Sequence, residues 1–215
     1  AAVREALQTA EYVVLQEAYG NTDTAAYADL LLPASGWGEK DGTVTNSERC
    51  ITRVLPAVQA PGEARHDWEI VVDFARRLGQ KLDHAGAAKL FPYTDTEAIF
   101  NEHRESTRGR DLDITGLSYA LLESEGPQQW PYPEGASSGK VRLYEDGRFP
   151  TPDGRARFVA IEHLPTADVP AADTPISLLS GRMRDHWHGM SRTGTVPRLF
   201  NVEDEPLLAM HPCDM

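Results

Sequence analysis

The chain has 215 residues, 40% of them hydrophobic and 25% charged, with 21 Lys and Arg against 33 Asp and Glu and a formal net charge of −12. That length supports one large domain or two small ones with a real core, and that charge balance argues against sequence-independent binding to a phosphate backbone, so any anion has to be held by local groups. No apolar run reaches the roughly 18 to 20 residues that span a bilayer and no signal-peptide pattern opens the sequence. Cys50 and Cys213 stand far apart in unrelated contexts, which excludes a disulfide framework or a paired-cysteine metal knuckle and fits a reducing compartment.

In chain order, residues 2–9 carry helical spacing, and "YVVLQ" at 12–16 reads as a short buried strand. A loop with Gly20 and Asn21, a helical turn in "TDTAAYA" and a second buried strand, "DLLLP" at 29–33, follow. Strand, turn and strand in quick succession predict a parallel sheet covered on both faces. Gly36, Gly38 and Gly42 punctuate a loop, and "RCITRVLPAV" alternates like a strand. The strongest helix is "EARHDWEIVVDFARRLGQKL", with Trp68, Val71, Val72, Phe74, Ala75 and Leu78 as an apolar stripe. "TDTEAIFNEHRESTRG" predicts another helix, capped by Thr94 or Asp95. From 126 to 175 the composition turns to Pro, Gly and Ser with short strands, and "PISLLSGR" opens a new strand beyond a boundary near 165–174. The resulting division is an α/β segment over 1–110, a turn-rich connection over 111–173 and a further domain from 174 to 215. Both ends look cut.

Two stretches carry the chemistry. In "WGEKDGTVTNSER" (37–49), Lys40 sits in a glycine-flanked loop after a buried strand, where open α/β sheets hold ligands, and its ammonium suits a phosphate. The alternative is a solvated lysine in a turn; neither GxxxxGK[ST] nor GxGxxG is present. In "SGRMRDHWHGMSRTG" (180–194), His186 and His188 would point the same way on a strand, but a metal site needs a third ligand and Asp185 would face the other side. The glycines allow close backbone approach, and Arg182, Arg184 and Arg192 supply forked donors for phosphate. A Ser, His and Asp hydrolase built from Ser180 or Ser191, His188 and Asp185 lacks any nucleophile motif.

"AEYVVLQEAYGNTDTAAYADLLLPASGWGEKDGTVTNSERC", "APGEARHDWEIVVDFARRLG", "FNEHRESTRGRDLDITGLSYALLESEGPQQWPYPEG" and "SGRMRDHWHGMSRTGTVPRLF" together resemble the molybdopterin oxidoreductases, and among them the catalytic subunits of bacterial assimilatory nitrate reductases. The resemblance covers nearly the whole chain. It implies an internal to C-terminal fragment of a large cytoplasmic enzyme that reduces nitrate to nitrite, with a molybdenum centre on bis(molybdopterin guanine dinucleotide) and a 4Fe-4S cluster. By the same resemblance the fold is α/β, part of a parallel-sheet, dinucleotide-binding-like domain followed by the start of a β-barrel of double-psi type. Electrons would come from a donor protein or reductase subunit, with no nucleic-acid or membrane partner. Cofactor contacts would fall at Gln16, Glu17, Lys40, Asp67 and the segment Ser180, Gly181, Arg182, Met183, Arg184, Asp185, His186, Trp187, His188 and Gly189. Molybdenum and cluster ligands lie outside the chain in this family, so no catalytic or metal-ligating residue is assigned. Cys50 and Cys213 stand where the family usually has arginine and glutamate. Other readings stay open: a formate dehydrogenase-like member, a non-catalytic nucleotide or phosphate-binding module, and a metal-dependent hydrolase using His186 and His188.

Overall fold

A computed structural model describes residues 2–84, 86–167, 169–190, 192–202 and 207–214. The chain divides into two units, Ala1–Arg157 and Phe158–Met215.

The first unit opens with helix α1 (Ala2–Thr9), then β1 (Val14–Glu17) and β2 (Leu30–Pro33), joined through a 3-10 turn over Asp23–Tyr27. The strands pair in parallel with Val14 opposite Leu30 and Glu17 opposite Pro33. Past β2 the ladder is extended by a parallel bridge between Ala34 and Arg65, where Ser35 N donates to Arg65 O at 2.8 Å and Arg65 N to Pro33 O at 3.1 Å. The parallel pairing agrees with the sequence reading, but the burial does not. Neither strand contains a fully buried residue, as befits a sheet of only two strands among the described residues.

After a 3-10 turn at Trp37–Glu39, the segment read as a glycine loop forms strand β3 (Gly42–Thr45), antiparallel to β4 (Cys50–Val54). Asn46 makes the turn between them: its Oδ1 accepts the amides of Glu48 and Cys50, both at 3.0 Å, and Arg49 takes φ +68. An Asn side chain that replaces backbone acceptors in this way is a strong turn former.

Helix α2 (Asp67–Lys81) begins at His66, whose amide donates to Glu69 Oε2 at 3.1 Å while its carbonyl accepts Glu69 N at 3.0 Å. Its expected apolar stripe is only partly used. Val72 is buried, while Phe74 is 65% exposed and Val71 and Leu78 are exposed with it.

The short helix α3 (Ala87–Leu90) leads to α4 (Thr96–Ser106), α5 (Tyr119–Ser124) and β5 (Gln128–Gln129), which pairs antiparallel with β4. Asp95 caps α4 by accepting Ala98 N at 2.7 Å. The core lies here: Ile51, Phe100, Ile114, Leu117, Tyr119, Leu122 and Tyr132, with the Phe100 and Tyr119 rings 5.4 Å apart. Leu117 is fully buried, and removing a leucine side chain from water contributes about 1.5–3 kcal/mol. Arg49 fastens the following turns by donating to the carbonyls of Trp130, Lys140 and Val141. The strands expected between 140 and 165 are absent among the described residues, which run through turns such as Phe149 N to Gly154 O at 3.0 Å.

The second unit contains a 3-10 turn at Thr193–Thr195, helix α6 (Pro197–Phe200) and a 3-10 turn at Pro212–Asp214, with no strand among its described residues. "PISLLSGR" is therefore not a strand, and the described residues form no closed barrel. A strand is held by a neighbour's ladder, and among the described residues 175–182 pairs with none; Phe158 is 94% exposed and Leu178 and Leu179 nearly as much. The chain is mixed α/β, with one parallel and one antiparallel sheet.

Candidate functional site

Three residues far apart in sequence meet in the first unit. Gln16 comes from the carboxyl end of β1, Lys40 from the loop before β3, and Asp67 from the first position of α2. Gln16 Nε2 donates to Asp67 Oδ1 at 2.7 Å, and Lys40 Nζ to Asp67 Oδ2 at 2.5 Å. The Lys40 ammonium also lies 5.6 Å from the centre of the Trp37 ring. Asp67 sits where an α-helix carries its partial positive charge. The bond from Lys40, aided by Gln16 against the opposing effect of burial, holds the Asp67 carboxyl below the usual carboxylate range. The cluster is not sealed: the side chains of Lys40 and Asp67 keep 29% and 48% of their surface exposed.

The same loops hold the cluster in place. Ser35, only 2% exposed, hydrogen-bonds His66 Nδ1 at 3.0 Å, and Gly36 N donates to Glu39 Oε2 at 2.7 Å. These contacts tie the end of β2 to the start of α2, and so fix where Asp67 emerges. Beyond Lys40, Asp41 accepts the Thr96 hydroxyl and an Arg53 guanidinium bond of 2.6 Å. Arg53 continues to Glu123 at 3.1 Å and to the carbonyls of Gly42 and Val54, with its guanidinium 3.9 Å from the centre of the Tyr119 ring. Glu17 stands apart, its carboxylate accepting the amides of Ala18 and Tyr19 at 2.8 and 3.3 Å.

The second unit carries Ser180 to Gly189. Arg184 pairs with Asp185 at 2.8 Å, and Trp187 is exposed with its ring edge-on to His188 at 4.5 Å between centres. His186 is 4% exposed; its Nδ1 lies 2.9 Å from Thr193 Oγ1, its ring meets Phe200 edge-on, and its Nε2 is buried with no hydrogen-bond partner among the described residues. The segment is a turn, not a strand: His188 and Met190 take φ values of +48 and +61. The two imidazoles therefore do not project side by side as strand neighbours. Among the described residues no three His, Cys, Asp or Glu side chains gather as a metal site would need. Ser191 lies outside the described residues.

The positions absent from the sequence reading are Ser35, Asp41, Arg53, His66 and Thr96. Asp41 and Arg53 had a signal, since a charged residue directly beside a candidate ligand and another inside an apolar strand both ask for partners.

The molybdopterin oxidoreductase family model matches residues 1–77. The chain is 40% identical over 209 residues to a nitrate reductase of Synechocystis sp., covering 95% of this chain and 28% of that protein. It is 36% identical over 212 residues to the assimilatory nitrate reductase catalytic subunit of Bacillus subtilis, covering 98% of this chain and 29% of that protein. It is 35% identical over 212 residues to the F420-dependent formate dehydrogenase subunit alpha of Methanocaldococcus jannaschii, covering 99% and 29%. The chain thus spans well under a third of the length of the curated relatives it matches.

Proposed function

We propose, from the match of residues 1–77 to the molybdopterin oxidoreductase family model, that the chain forms part of a molybdenum enzyme that reduces nitrate to nitrite, using Gln16, Lys40 and Asp67 to hold a molybdopterin guanine dinucleotide. The observation that carries this reading is the convergence of those side chains on one carboxylate at the start of α2. Each Asp67 oxygen accepts one bond and retains a further lone pair, so the carboxylate can take the adjacent N–H donors of a guanine edge. Lys40 spends one of its three N–H donors on Asp67 and keeps the others for phosphate oxygens. The donor set fits the group, and its partial exposure leaves it reachable.

When bound, the molybdenum cofactor supplies the oxygen-atom and electron chemistry, while this chain supplies binding and orientation. Glu17 is proposed to contribute through the loop it braces. Ser180 to Gly189 is proposed as a second cofactor-contact segment, and its unit as the entry to the double-psi barrel of the family. Supporting that role is the open space over Gly181 and Gly189, where an added Cβ would meet nothing within 4 Å. A 4Fe-4S cluster, an electron-donor protein and a cytoplasmic location complete the proposal; the name of the Bacillus relative supports the assimilatory assignment. Formate oxidation is the second reading, favoured by a 35% identical match that covers 99% of this chain and 29% of a formate dehydrogenase subunit.

The test is to purify the holoenzyme that carries this chain and to assay nitrite formation from nitrate with reduced viologen beside formate oxidation. Nitrite formation, with guanine nucleotide released on denaturation and depleted in Asp67→Ala, is the expected result. Formate oxidation without nitrite formation overturns the substrate assignment, and a holoenzyme without guanine nucleotide overturns the cofactor assignment.

A further inference from the structure

We propose that Asp41 is a positioning residue: it sets the Lys40 ammonium against Asp67 and thereby controls retention of the guanine dinucleotide without touching it. The inference rests on the cofactor reading above and extends it to a residue beside the contact.

Lys40 has extended backbone, φ −90 and ψ 147, so its side chain and that of Asp41 leave the chain on opposite sides. One side reaches Asp67. The other is tied to the body of the unit, since Asp41 receives Thr96 from the first turn of α4 and Arg53 from β4. Arg53 in turn lies on Tyr119, a core residue that stacks with Phe100. A continuous run of contacts therefore leads from the hydrophobic core to the peptide that carries Lys40. Gly42 completes the turn at φ +147, which glycine adopts freely and a residue with a Cβ only under strain, so the turn after Asp41 calls for glycine. Arg53 also donates to Gly42 O at 2.9 Å, fixing the far side of the same turn. Lys40 keeps four rotatable side-chain bonds, and anchoring its backbone restricts where the ammonium can go.

The experiment compares holoenzyme carrying Lys40→Met, Asp41→Asn or both, reading the rate at which guanine nucleotide leaves the protein on dilution, together with melting temperature and turnover per molybdenum. Lys40→Met is expected to speed nucleotide loss about tenfold, and Asp41→Asn to speed it by a similar factor, the lower end of what loss of a supporting partner costs at a ligand-holding site. In the Lys40→Met background Asp41→Asn then adds nothing, because residues that act through one another are not additive. Turnover per retained molybdenum stays unchanged in Asp41→Asn. Multiplying effects mean that Asp41 acts only on the fold and overturn the proposal. If Lys40→Met retains nucleotide normally, the Lys40 contact itself is wrong and the proposal falls with it; if Lys40→Met loses nucleotide while Asp41→Asn does not, only the proposal falls. Should Asp41→Asn fail to fold, Thr96→Val removes one support at nearly constant volume and has to show a smaller loss with the same dependence on Lys40.

Discussion

Arg53→Met places a side chain of similar length where the guanidinium lies. The Arg53 side chain is 11% exposed and its partner Asp41 30% exposed, while Glu123 at 49% can return to water. Breaking a buried pair by removing one partner costs about 3–5 kcal/mol, and the partial exposure of both carboxylates puts this case near 3 kcal/mol. The attraction of the guanidinium to the Tyr119 ring is lost too, partly offset because methionine still packs on that ring. Arg53→Lys keeps the charge but not the fork that reaches Asp41, Glu123 and two carbonyls, so about half the loss is expected. The effect depends on pH. Burial raises the Asp41 pKa, but the Thr96 hydroxyl and Arg53 outweigh it and the net direction is down. A depressed folded-state pKa means that the stabilisation is present above the unfolded carboxylate value of about 3.9 and is lost as pH falls through the lower folded value. Wild type and Arg53→Met should therefore differ fully at pH 7 and converge below about pH 4. Urea denaturation followed by far-UV circular dichroism, with hydrogen exchange at the β4 amides, measures both. A loss below about 1 kcal/mol at pH 7, the range of exposed pairs, or a gap that widens in acid, would refute the reasoning.

Leu117→Ala, at the centre of the core, is expected to cost about 2–5 kcal/mol in the same titration. Gly116→Ala sets a Cβ 2.5 Å from Pro133 O and 2.8 Å from the Tyr132 ring; the backbone oxygen cannot yield cheaply, and a loss of about 1–3 kcal/mol should show as a lower melting temperature. Asp95→Ala removes the acceptor of Ala98 N and should cost about 1 kcal/mol, with faster amide exchange confined to the first turn of α4. The isolated chain should self-associate as its concentration rises in sedimentation velocity, because Phe74, Phe158, Leu178, Leu179 and Leu207 all stand in solvent; a concentration-independent monomer contradicts this.

Periodicity was informative where the element closes its own hydrogen bonds. α1, α2 and α4 lie where their spacing puts them, and Asp95 caps α4 as read. It was less informative about which face is buried, since a stripe such as Val71, Phe74 and Leu78 records only that something apolar is a suitable neighbour. β3 escaped because glycines masked a strand whose existence depends on β4, and the sequence signal was Asn46 in the turn, not the strand itself. The run at 175–182 failed in the opposite sense: its composition suits a strand, and no described residue pairs with it as one. Gln16, Lys40 and Asp67 were assigned through family resemblance, and their convergence is visible only in three dimensions. Asp41 and Arg53 make a different point, because a positioning pair has no motif of its own and is defined by what it joins.

The bond from Gln16 to Asp67 spans 51 positions of sequence. During synthesis the first two members of the cluster leave the ribosome well before the third, and neither Gln16 nor Lys40 can find its partner until α2 has begun. Closing so long a loop costs entropy that is recovered only when β2, Arg65 and the start of α2 come together. Any ligand read by all three side chains is accordingly a ligand of the finished fold, and its arrival reports that the chain has been made at least as far as α2.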